Sequence, residues 1–224
     1  MSYILNIDTA IEAASVCLSL NGETVAFLEN GVQRDSASWL QPAIQHILKQ
    51  HYLKLEELDA VAISEGPGSY TGLRVGMATA KGLCYAAKIP LILVSTFQMM
   101  TRAVSDIEAD LFCPMIDARR MEVYTVLYDR EGGEKLPPQN LILEKTAFSE
   151  LLESCKILFF GNGSVKLRGL IENPNAVFSN RTANAKHLVP VSTQKLKAHL
   201  FADLAYCEPN YGKAFFSPPS KPLL

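Results

Sequence analysis

The sequence predicts an α/β fold built from two similar halves, and three observations support this prediction. Short apolar runs with the period-two pattern of β-strands alternate with stretches that carry the 3.6-residue period of amphipathic helices. The same order of elements occurs twice along the chain. The chain has 224 residues, of which 48% are hydrophobic and 20% charged, a composition typical of folded globular proteins.

The first half begins with three strands. An apolar run over 3–8 ends on Asp8, and the alternating residues 14–20 predict a second strand. Residues 24–29 return after Asn21-Gly22, a strong hairpin signal. The elements that follow are a helix over about 36–50, a buried strand over 60–64, a helix over about 69–87, a strand over 91–94 and a helix over 96–108.

The second half repeats this order. The run 111–117 ends on Asp117 as the first run ends on Asp8. The later elements are strands over 121–128 and 140–144, a helix over 146–153, a strand over 157–160, a helix over 163–172, a strand over 176–178 and helical stretches over 184–206. We therefore predict two lobes, 1–108 and 109–224, each a mixed sheet with helices on its faces, and the last helix is free to pack back on the first lobe.

Two such halves form the actin/Hsp70/sugar-kinase-like fold, in which ATP lies in the cleft between the halves. Each half of that fold contributes an Asp-x-Gly turn whose glycine lets backbone N–H groups approach phosphate. The corresponding turns here are Asp8-Thr9-Ala10 and Asp117-Ala118-Arg119, which keep the aspartate and lack the glycine. We predict that Asp8, Thr9, Asp117 and Arg119 are remnants of a nucleotide site, and that the isolated chain holds no nucleotide tightly.

A glycine-rich segment over 66–76 precedes and enters the helix over 69–87. It fits neither the GxGxxG nor the Walker pattern of phosphate loops. Along the helix, small residues recur every four positions and form one stripe, namely Gly72, Gly76, Ala80 and Cys84. Glycine inside a helix lowers stability by about 0.5–1 kcal/mol relative to alanine. We therefore expect another backbone to approach the helix closely where the glycines lie. That backbone belongs to this chain or to a second protein; we favour a second protein, with Arg74 and Lys81 at its rim.

Composition excludes several classes of function. The net charge of −2 and pI near 6.1 argue against a basic coat that binds nucleic acid non-specifically. No apolar stretch approaches the about 20 residues that span a bilayer, and the N-terminus lacks the pattern of a signal peptide. Five scattered cysteines, none in CxxC spacing, fit a reducing compartment. We expect a cytoplasmic protein.

Candidate catalytic residues are few. His46 and His51 lie five residues apart, which places them on different faces of a helix and prevents a metal clamp. His187 and His199 are isolated. Asp8 and Asp117 could face each other across a cleft as a carboxylate pair. We predict no catalytic residue and no metal, with an ATP-dependent small-molecule kinase of the same fold as the alternative and a peptidase as a third hypothesis.

Three motifs resemble the TsaB family (also called YeaZ) of bacterial tRNA threonylcarbamoyladenosine biosynthesis proteins. They are Ile7-Asp8-Thr9-Ala10, the block from Gly66 to Gly76, and Ile116–Tyr124, and the resemblance is strong over residues 1–128. Near the end, Glu208-Pro209-Asn210-Tyr211 is similar to the closing Pro-x-Tyr motif of the family. The family follows that tyrosine with a bulky apolar and then a basic residue, whereas Gly212-Lys213 follow here.

The resemblance implies a non-catalytic subunit in the synthesis of threonylcarbamoyladenosine in tRNA. Such a subunit pairs with its catalytic relative TsaD, and the ATPase TsaE docks on the pair. Self-association uses the same surface that binds TsaD, and the contact with tRNA is indirect. ATP or ADP would bind only in the complex. The expected docking surface combines the helix over 36–50 with the glycine-rich helix, at Trp39, Leu40, Ser69, Tyr70, Gly72, Leu73, Gly76, Thr79 and Ala80. On this hypothesis Gly76→Arg leaves folding intact and abolishes pairing.

Overall fold

The computed structural model describes residues 1–31 and 35–212. Its strands are β1 (Tyr3–Asp8), β2 (Ser15–Leu20), β3 (Glu23–Glu29), β4 (Ala60–Gly66), β5 (Leu91–Ser95), β6 (Leu111–Asp117), β7 (Glu122–Asp129), β8 (Glu134–Ile142), β9 (Ile157–Phe160) and β10 (Ala176–Ser179). Its helices are α1 (Ser36–Gln50), α2 (Tyr70–Ala87), α3 (Thr96–Arg102), α4 (Ser149–Leu152), α5 (Ser164–Arg168) and α6 (Val189–Lys197). Short 3-10 turns lie at Leu55–Glu57 and Ala185–Leu188.

The strands form two five-stranded mixed sheets with the same topology. The first has the order β3-β2-β1-β4-β5 and the second β10-β9-β6-β7-β8. In each sheet the first three strands along the chain pair antiparallel, and the two later strands pair parallel. The parallel pairs need helical crossovers, which is why the helices lie on the faces of the sheets. The predicted actin/Hsp70/sugar-kinase-like fold is confirmed.

Alternating residues of the central strands face two different hydrophobic clusters. In β4, Ala60 and Ala62 belong to a cluster that also contains Phe112 of β6 and Leu158 of β9. The residues between and beyond them, Val61 and Ile63, belong to a cluster beneath α1 and α2. This period-two alternation buries both faces of the sheet. The cluster shared by both sheets joins the two halves of the molecule.

Helix α6, although it belongs to the second half of the chain, packs on the first sheet. Ser192 Oγ donates to Asn6 Oδ1 over 2.6 Å, and both residues are fully buried. Lys195 Nζ donates to the carbonyl oxygen of Leu93 over 2.7 Å. A buried polar group that loses its hydrogen-bond partner costs more free energy than an exposed one. These bonds therefore fix the helix to one position on the sheet.

Helix α2 has local signals at both ends. Ser69 is the N-cap, and its Oγ accepts a hydrogen bond from Gly72 N over 3.2 Å. At the other end Lys88 adopts the left-handed conformation with φ of 57°, and Pro90 follows two residues later. These caps explain why the predicted and observed bounds of this helix agree within one residue.

The three largest differences from the predicted element boundaries are the start of β8 and the ends of α3 and α6. Strand β8 begins at Glu134 rather than near residue 140 because it is an edge strand, where Pro137 and Pro138 need no ladder N–H. Helix α3 ends at Arg102 rather than at residue 108. Helix α6 ends at Lys197, and residues 200–212, which we call the C-terminal strap, continue without helix or strand.

The C-terminal strap runs along the first half of the molecule. Ala202 N donates to Leu91 O, which covers the edge of β5. Lys81 Nζ of α2 donates to the carbonyl oxygens of Ala205 and Cys207 over 3.4 and 3.0 Å. Asn210 N then donates to Glu65 O over 2.7 Å. Lys213, which departs from the family pattern, lies outside the described residues.

Candidate functional site

The first of the two predicted turns follows β1 and is completely enclosed. Asp8 Oδ1 accepts hydrogen bonds from Ser64 Oγ over 2.6 Å and from Ala10 N over 3.0 Å. Burial raises the pKa of the fully buried Asp8 carboxyl to about 6, although both of these hydrogen bonds lower it. Asp8 Oδ2 has no hydrogen-bond partner among the described residues.

The glycine-rich segment closes over this turn. Ser69 N donates to Ala10 O over 2.7 Å, and Thr9 Oγ1 donates to Gly72 O over 2.8 Å. A Cβ atom at Gly68 would collide with Ala10 O, and one at Gly72 would collide with Thr9 O. The glycines are therefore required because the loop and the start of α2 lie directly against the backbone of the turn.

The stripe of small residues on α2, which we call the inner face (Gly72, Gly76, Ala80 and Cys84), packs inside the chain. A Cβ atom at Gly76 would collide with Thr9 Oγ1 and would lie 3.0 Å from Ile63 Cδ1. Ala80 and Cys84 are fully buried in the cluster beneath α1 and α2. The backbone that approaches this stripe belongs to the chain itself, so the preference for a second protein was wrong for the inner face.

Five of the nine residues expected in the docking surface are buried, and four are accessible. The buried ones are Leu40, Gly72, Leu73, Gly76 and Ala80. Ser69 and Tyr70 are exposed at the start of α2, while Thr79 and Trp39 are partly exposed. Trp39 packs against the cluster beneath the two helices.

The opposite side of α2, which we call its outer face (Thr71, Ala78, Gly82 and Tyr85), is exposed. These residues are separated by seven, four and three positions, which places them on one side of a helix. A Cβ atom at Gly82 would have none of the described residues within 4 Å, and Tyr85 is 81% exposed. Helix α1 borders this face, where Gln41 Nε2 donates to Thr79 Oγ1 over 3.5 Å, and the C-terminal strap borders it on the other side.

The second predicted turn, after β6, is occupied by a lysine from α5. Lys166 Nζ donates to Asp117 Oδ1 over 2.6 Å and to Glu122 O over 3.0 Å. Arg119 N also donates to Asp117 Oδ1, and Asn162 Oδ1 accepts from Asp117 N. Partial burial alone would raise the pKa of the Asp117 carboxyl, but the bonds from Lys166 and Arg119 outweigh it and leave the pKa below its usual value.

Lys166 was not identified from the sequence. It lies 49 residues from Asp117 along the chain, and no spacing pattern relates the two positions. The topology brings them together, because β6 and β9 are neighbouring parallel strands and α5 follows β9 directly. The side chain of a residue in the first turn of α5 therefore reaches the carboxyl end of β6.

A cavity of about 260 Å³ lies between the two halves. Ile11 from the loop after β1 lines one side, and Ile116, Phe160 and Gly161 of the second half line the other. The surface of the cavity is mainly apolar, and the residues that line it include neither Asp8 nor Asp117. Asp8 is fully buried beneath the glycine-rich segment, and Asp117 lies beside the cavity, next to Ile116, without lining it.

A membrane-spanning helix and a cluster of metal ligands are both absent from residues 1–31 and 35–212. Within these ranges no helix is long and apolar enough to cross a bilayer. The same residues contain no group of three or more His, Cys, Asp or Glu side chains arranged to hold a metal ion.

His187 Nδ1 accepts from Asn184 N over 3.0 Å in the cap of a 3-10 turn, and burial lowers the pKa of this histidine.

Comparison with protein families gives a match over most of the chain. The family model described as TsaD, tRNA N6-adenosine threonylcarbamoyltransferase, matches residues 30–211. The Haemophilus influenzae protein named tRNA threonylcarbamoyladenosine biosynthesis protein TsaB is 39% identical over 54% of this chain and 51% of its own length. The Bacillus subtilis protein of the same name is 29% identical over 76% of this chain and 75% of its length. The chain thus spans about half the length of the first relative.

Comparison with solved structures agrees with these matches. A Pseudomonas aeruginosa protein described as similar to peptidase YeaZ superimposes with a TM-score of 0.83 and 25% identity, over 95% of this chain and 100% of that chain. The activator of 2-hydroxyisocaproyl-CoA dehydratase from Clostridium difficile, solved with bound ADPNP, shares the fold alone. It superimposes with a TM-score of 0.51 and 9% identity, over 88% of this chain and 97% of that chain. The resemblance to TsaB and YeaZ is confirmed.

Proposed function

The chain belongs to the family of TsaD, tRNA N6-adenosine threonylcarbamoyltransferase, and we propose that it serves the synthesis of threonylcarbamoyladenosine in tRNA as a non-catalytic partner subunit. Its role is to bind and stabilise a TsaD-type catalytic subunit. A TsaE-type ATPase docks on the resulting pair, and tRNA is contacted through the other subunits.

One observation carries the non-catalytic part of this proposal. The glycine-rich segment and the start of α2 lie so close to the Asp8–Ala10 turn that no Cβ atom fits at Gly68 or Gly72. A phosphate group is larger than a methyl group and needs free backbone N–H donors. The Ala10 N–H donates to Asp8, and its carbonyl oxygen accepts from Ser69. This turn leaves no space for a phosphate group, and its Ala10 N–H is already engaged within the chain.

The second turn supports the same conclusion by different chemistry. The ammonium group of Lys166 lies 2.6 Å from Asp117 Oδ1, a position that neutralises the carboxylate within the chain. The Oδ1 atom and the negative charge of Asp117 thereby help to hold α5 against β6 and β7. We propose that ATP or ADP, if bound at all, binds only where this chain and its partner meet.

The outer face of α2 is the proposed docking surface. A glycine inside a helix costs about 0.5–1 kcal/mol relative to alanine. Contacts with Thr9 account for Gly72 and Gly76, but none of the described residues lies within 4 Å of the Cβ position of Gly82. None of the described residues supplies a reason for glycine at this site, and close approach of a partner helix would supply one. Self-association through the same face would compete with the catalytic subunit.

Titration with the catalytic subunit of the same organism tests the docking proposal. In Gly82→Arg the new side chain points into solvent, so folding is retained and the complex is lost. The matched control is Gly169→Arg, at an exposed glycine with φ of −81° after α5 and only Lys166 O near its Cβ position, at 3.9 Å. We expect affinity to fall at least about 100-fold for Gly82→Arg and to stay unchanged for the control. Equal affinities for both variants would contradict the proposal.

The kinase alternative has its own test. Calorimetry of the isolated chain with ATP and Mg²⁺ should give no binding heat, since the first turn is enclosed and the Asp117 carboxylate of the second is paired with Lys166. Tight binding by the isolated chain, with a Kd of about 1 μM or less, would favour a kinase and contradict the non-catalytic role.

A further inference from the structure

Two family motifs that are far apart in the sequence meet at the start of α2. Tyr70 and Arg74 belong to the glycine-rich motif, and Tyr211 belongs to the closing Pro-x-Tyr motif. Arg74 Nε donates to Tyr211 Oη over 3.0 Å across 137 residues of sequence. The C-terminal strap brings the two together, since Asn210 is bonded to Glu65 immediately before the glycine-rich segment.

The guanidinium group of Arg74 is held in a defined orientation. Its central carbon lies 4.2 Å from the ring centroid of Tyr70 and 5.8 Å from that of Tyr211. The two rings are 5.0 Å apart and inclined by 38°. Stacking on one ring and a hydrogen bond to the other fix the guanidinium plane without neutralising its charge.

The remaining donors of Arg74 are free to bind a partner. Within residues 1–31 and 35–212, the terminal nitrogens Nη1 and Nη2 make no hydrogen bond or ion pair, and the side chain is exposed. A guanidinium held in one plane presents parallel N–H donors that match the two oxygens of a carboxylate. Tyrosine and arginine are also the residue types enriched where binding energy concentrates in protein interfaces.

We propose that Arg74, oriented by Tyr70 and Tyr211, binds an aspartate or glutamate side chain of the catalytic partner at the edge of the docking surface. This inference rests on the proposed function and adds the chemistry of one contact to it. Arg74 follows Thr71 of the outer face by one helical turn, so a partner on that face reaches it.

A phosphate of RNA is the competing anion, and the surroundings argue against it. Binding to a nucleic-acid backbone uses several cations along a path. The other cationic residue within α2 is Lys81, whose ammonium group donates to the carbonyl oxygens of Ala205 and Cys207. The first 108 residues also carry 7 Lys and Arg against 11 Asp and Glu, so this half does not attract a polyanion.

Affinity for the purified catalytic subunit, measured by calorimetry at low and moderate salt, tests the contact. We expect Arg74→Ala to weaken binding about 10- to 100-fold, the size of a lost charge-assisted bond. Arg74→Lys should recover only a small part of this, because lysine neither stacks nor binds in a bidentate manner. Tyr211→Phe keeps the ring, loses the acceptor and should weaken binding less. Arg102→Ala, at an exposed arginine that ends α3, is the matched control and should bind normally.

If Arg74→Ala binds normally while Gly82→Arg does not, the docking proposal stands and the Arg74 contact is wrong. If Arg74→Ala changes only retention of tRNA, or only self-association in sedimentation, the anion is a phosphate or belongs to a second copy, and the proposal is overturned. If the unchanged chain fails to bind the catalytic subunit, the proposed function and this inference both fail. Thermal unfolding of each variant separates lost binding from lost folding.

Discussion

Glycines of α2 that look alike in the sequence have opposite surroundings in the structure. Gly76 lies against Thr9 and Ile63, whereas Gly82 faces open space one and a half turns later. Each lacks a side chain in the middle of a helix, where alanine would be intrinsically better. The difference between them is therefore a property of packing, and it can be measured by placing the same methyl group at both positions.

We predict opposite effects for Gly76→Ala and Gly82→Ala on the free energy of unfolding. At Gly76 the added methyl collides with Thr9 and should destabilise by about 1–3 kcal/mol, and Gly76→Arg should not fold. At Gly82 the methyl meets nothing and should stabilise by about 0.5–1 kcal/mol. Urea denaturation of the pair measures both effects. Equal destabilisation would mean that the outer face is also packed within the chain.

Asp8 gives the stability of the protein a pH dependence of unusual sign. Burial raises its pKa to about 6 in the folded chain from the ordinary 3.8, so the folded state binds a proton more tightly than the unfolded state. Between about pH 4 and pH 6, stability therefore falls as pH rises, by up to about 3 kcal/mol in total, and then levels off.

Asp8→Asn isolates this effect, because the asparagine oxygen still accepts from Ser64 and Ala10. The difference in unfolding free energy between the unchanged chain and Asp8→Asn should grow in favour of the variant from pH 4 to pH 7. Urea denaturation at intervals across this range measures it. A difference that is constant with pH would show that the carboxyl of Asp8 titrates normally in the folded chain.

At the scale of elements, α2 has an inner side that closes over the Asp8–Ala10 turn and an outer side that is exposed and that we propose as the docking surface. The C-terminal strap lies along one border of the outer side and is tied to the helix by Lys81 and Arg74. It contains no helix or strand of its own, so individual side-chain and backbone bonds hold it in place. Loosening these bonds should release the strap without unfolding the helix.

We predict this for Lys81→Met, which removes the donor to Ala205 and Cys207 and keeps most of the apolar length of the side chain. Hydrogen exchange should become faster at Cys207 and Asn210, whose amides are bonded in the folded chain, while α2 stays protected. Lys49→Met, on the exposed side of α1, is the matched control. Unchanged exchange in the strap would show that its backbone contacts suffice.

The order of elements and both aspartate turns were predictable because strand ends and turns leave local patterns. Asp8 and Asp117 end their strands as expected. The side of α2 that faces the sheet could not be predicted. A four-residue spacing of glycine indicates that another backbone is close, but it does not indicate whether that backbone belongs to this chain or to a partner. The pairs Asp117–Lys166 and Arg74–Tyr211 are 49 and 137 residues apart and depend on topology alone. Pro137 and Pro138 hid the start of β8, because an edge strand tolerates proline.

At the scale of the whole molecule, one hydrophobic cluster spans both sheets, and the cleft between the halves is partly filled. Lys166 engages the second aspartate turn, the glycine-rich segment closes the first, and an apolar cavity remains between them. The division at residues 108 and 109 stays a prediction. Together these features support the proposal that the chain acts through its exterior rather than through its cleft.

The rate of threonylcarbamoylation of tRNA in a reconstituted mixture tests this account most directly. The mixture contains the TsaD-type and TsaE-type proteins with this chain, either unchanged, as Asp117→Asn or as Gly82→Arg. We predict that Asp117→Asn keeps the rate within about twofold, because losing a true catalytic acid or base would cost about 100-fold or more. Gly82→Arg should reduce the rate to that of a mixture without this chain. Loss of activity in Asp117→Asn with the complex intact, and full activity in Gly82→Arg, would contradict the account.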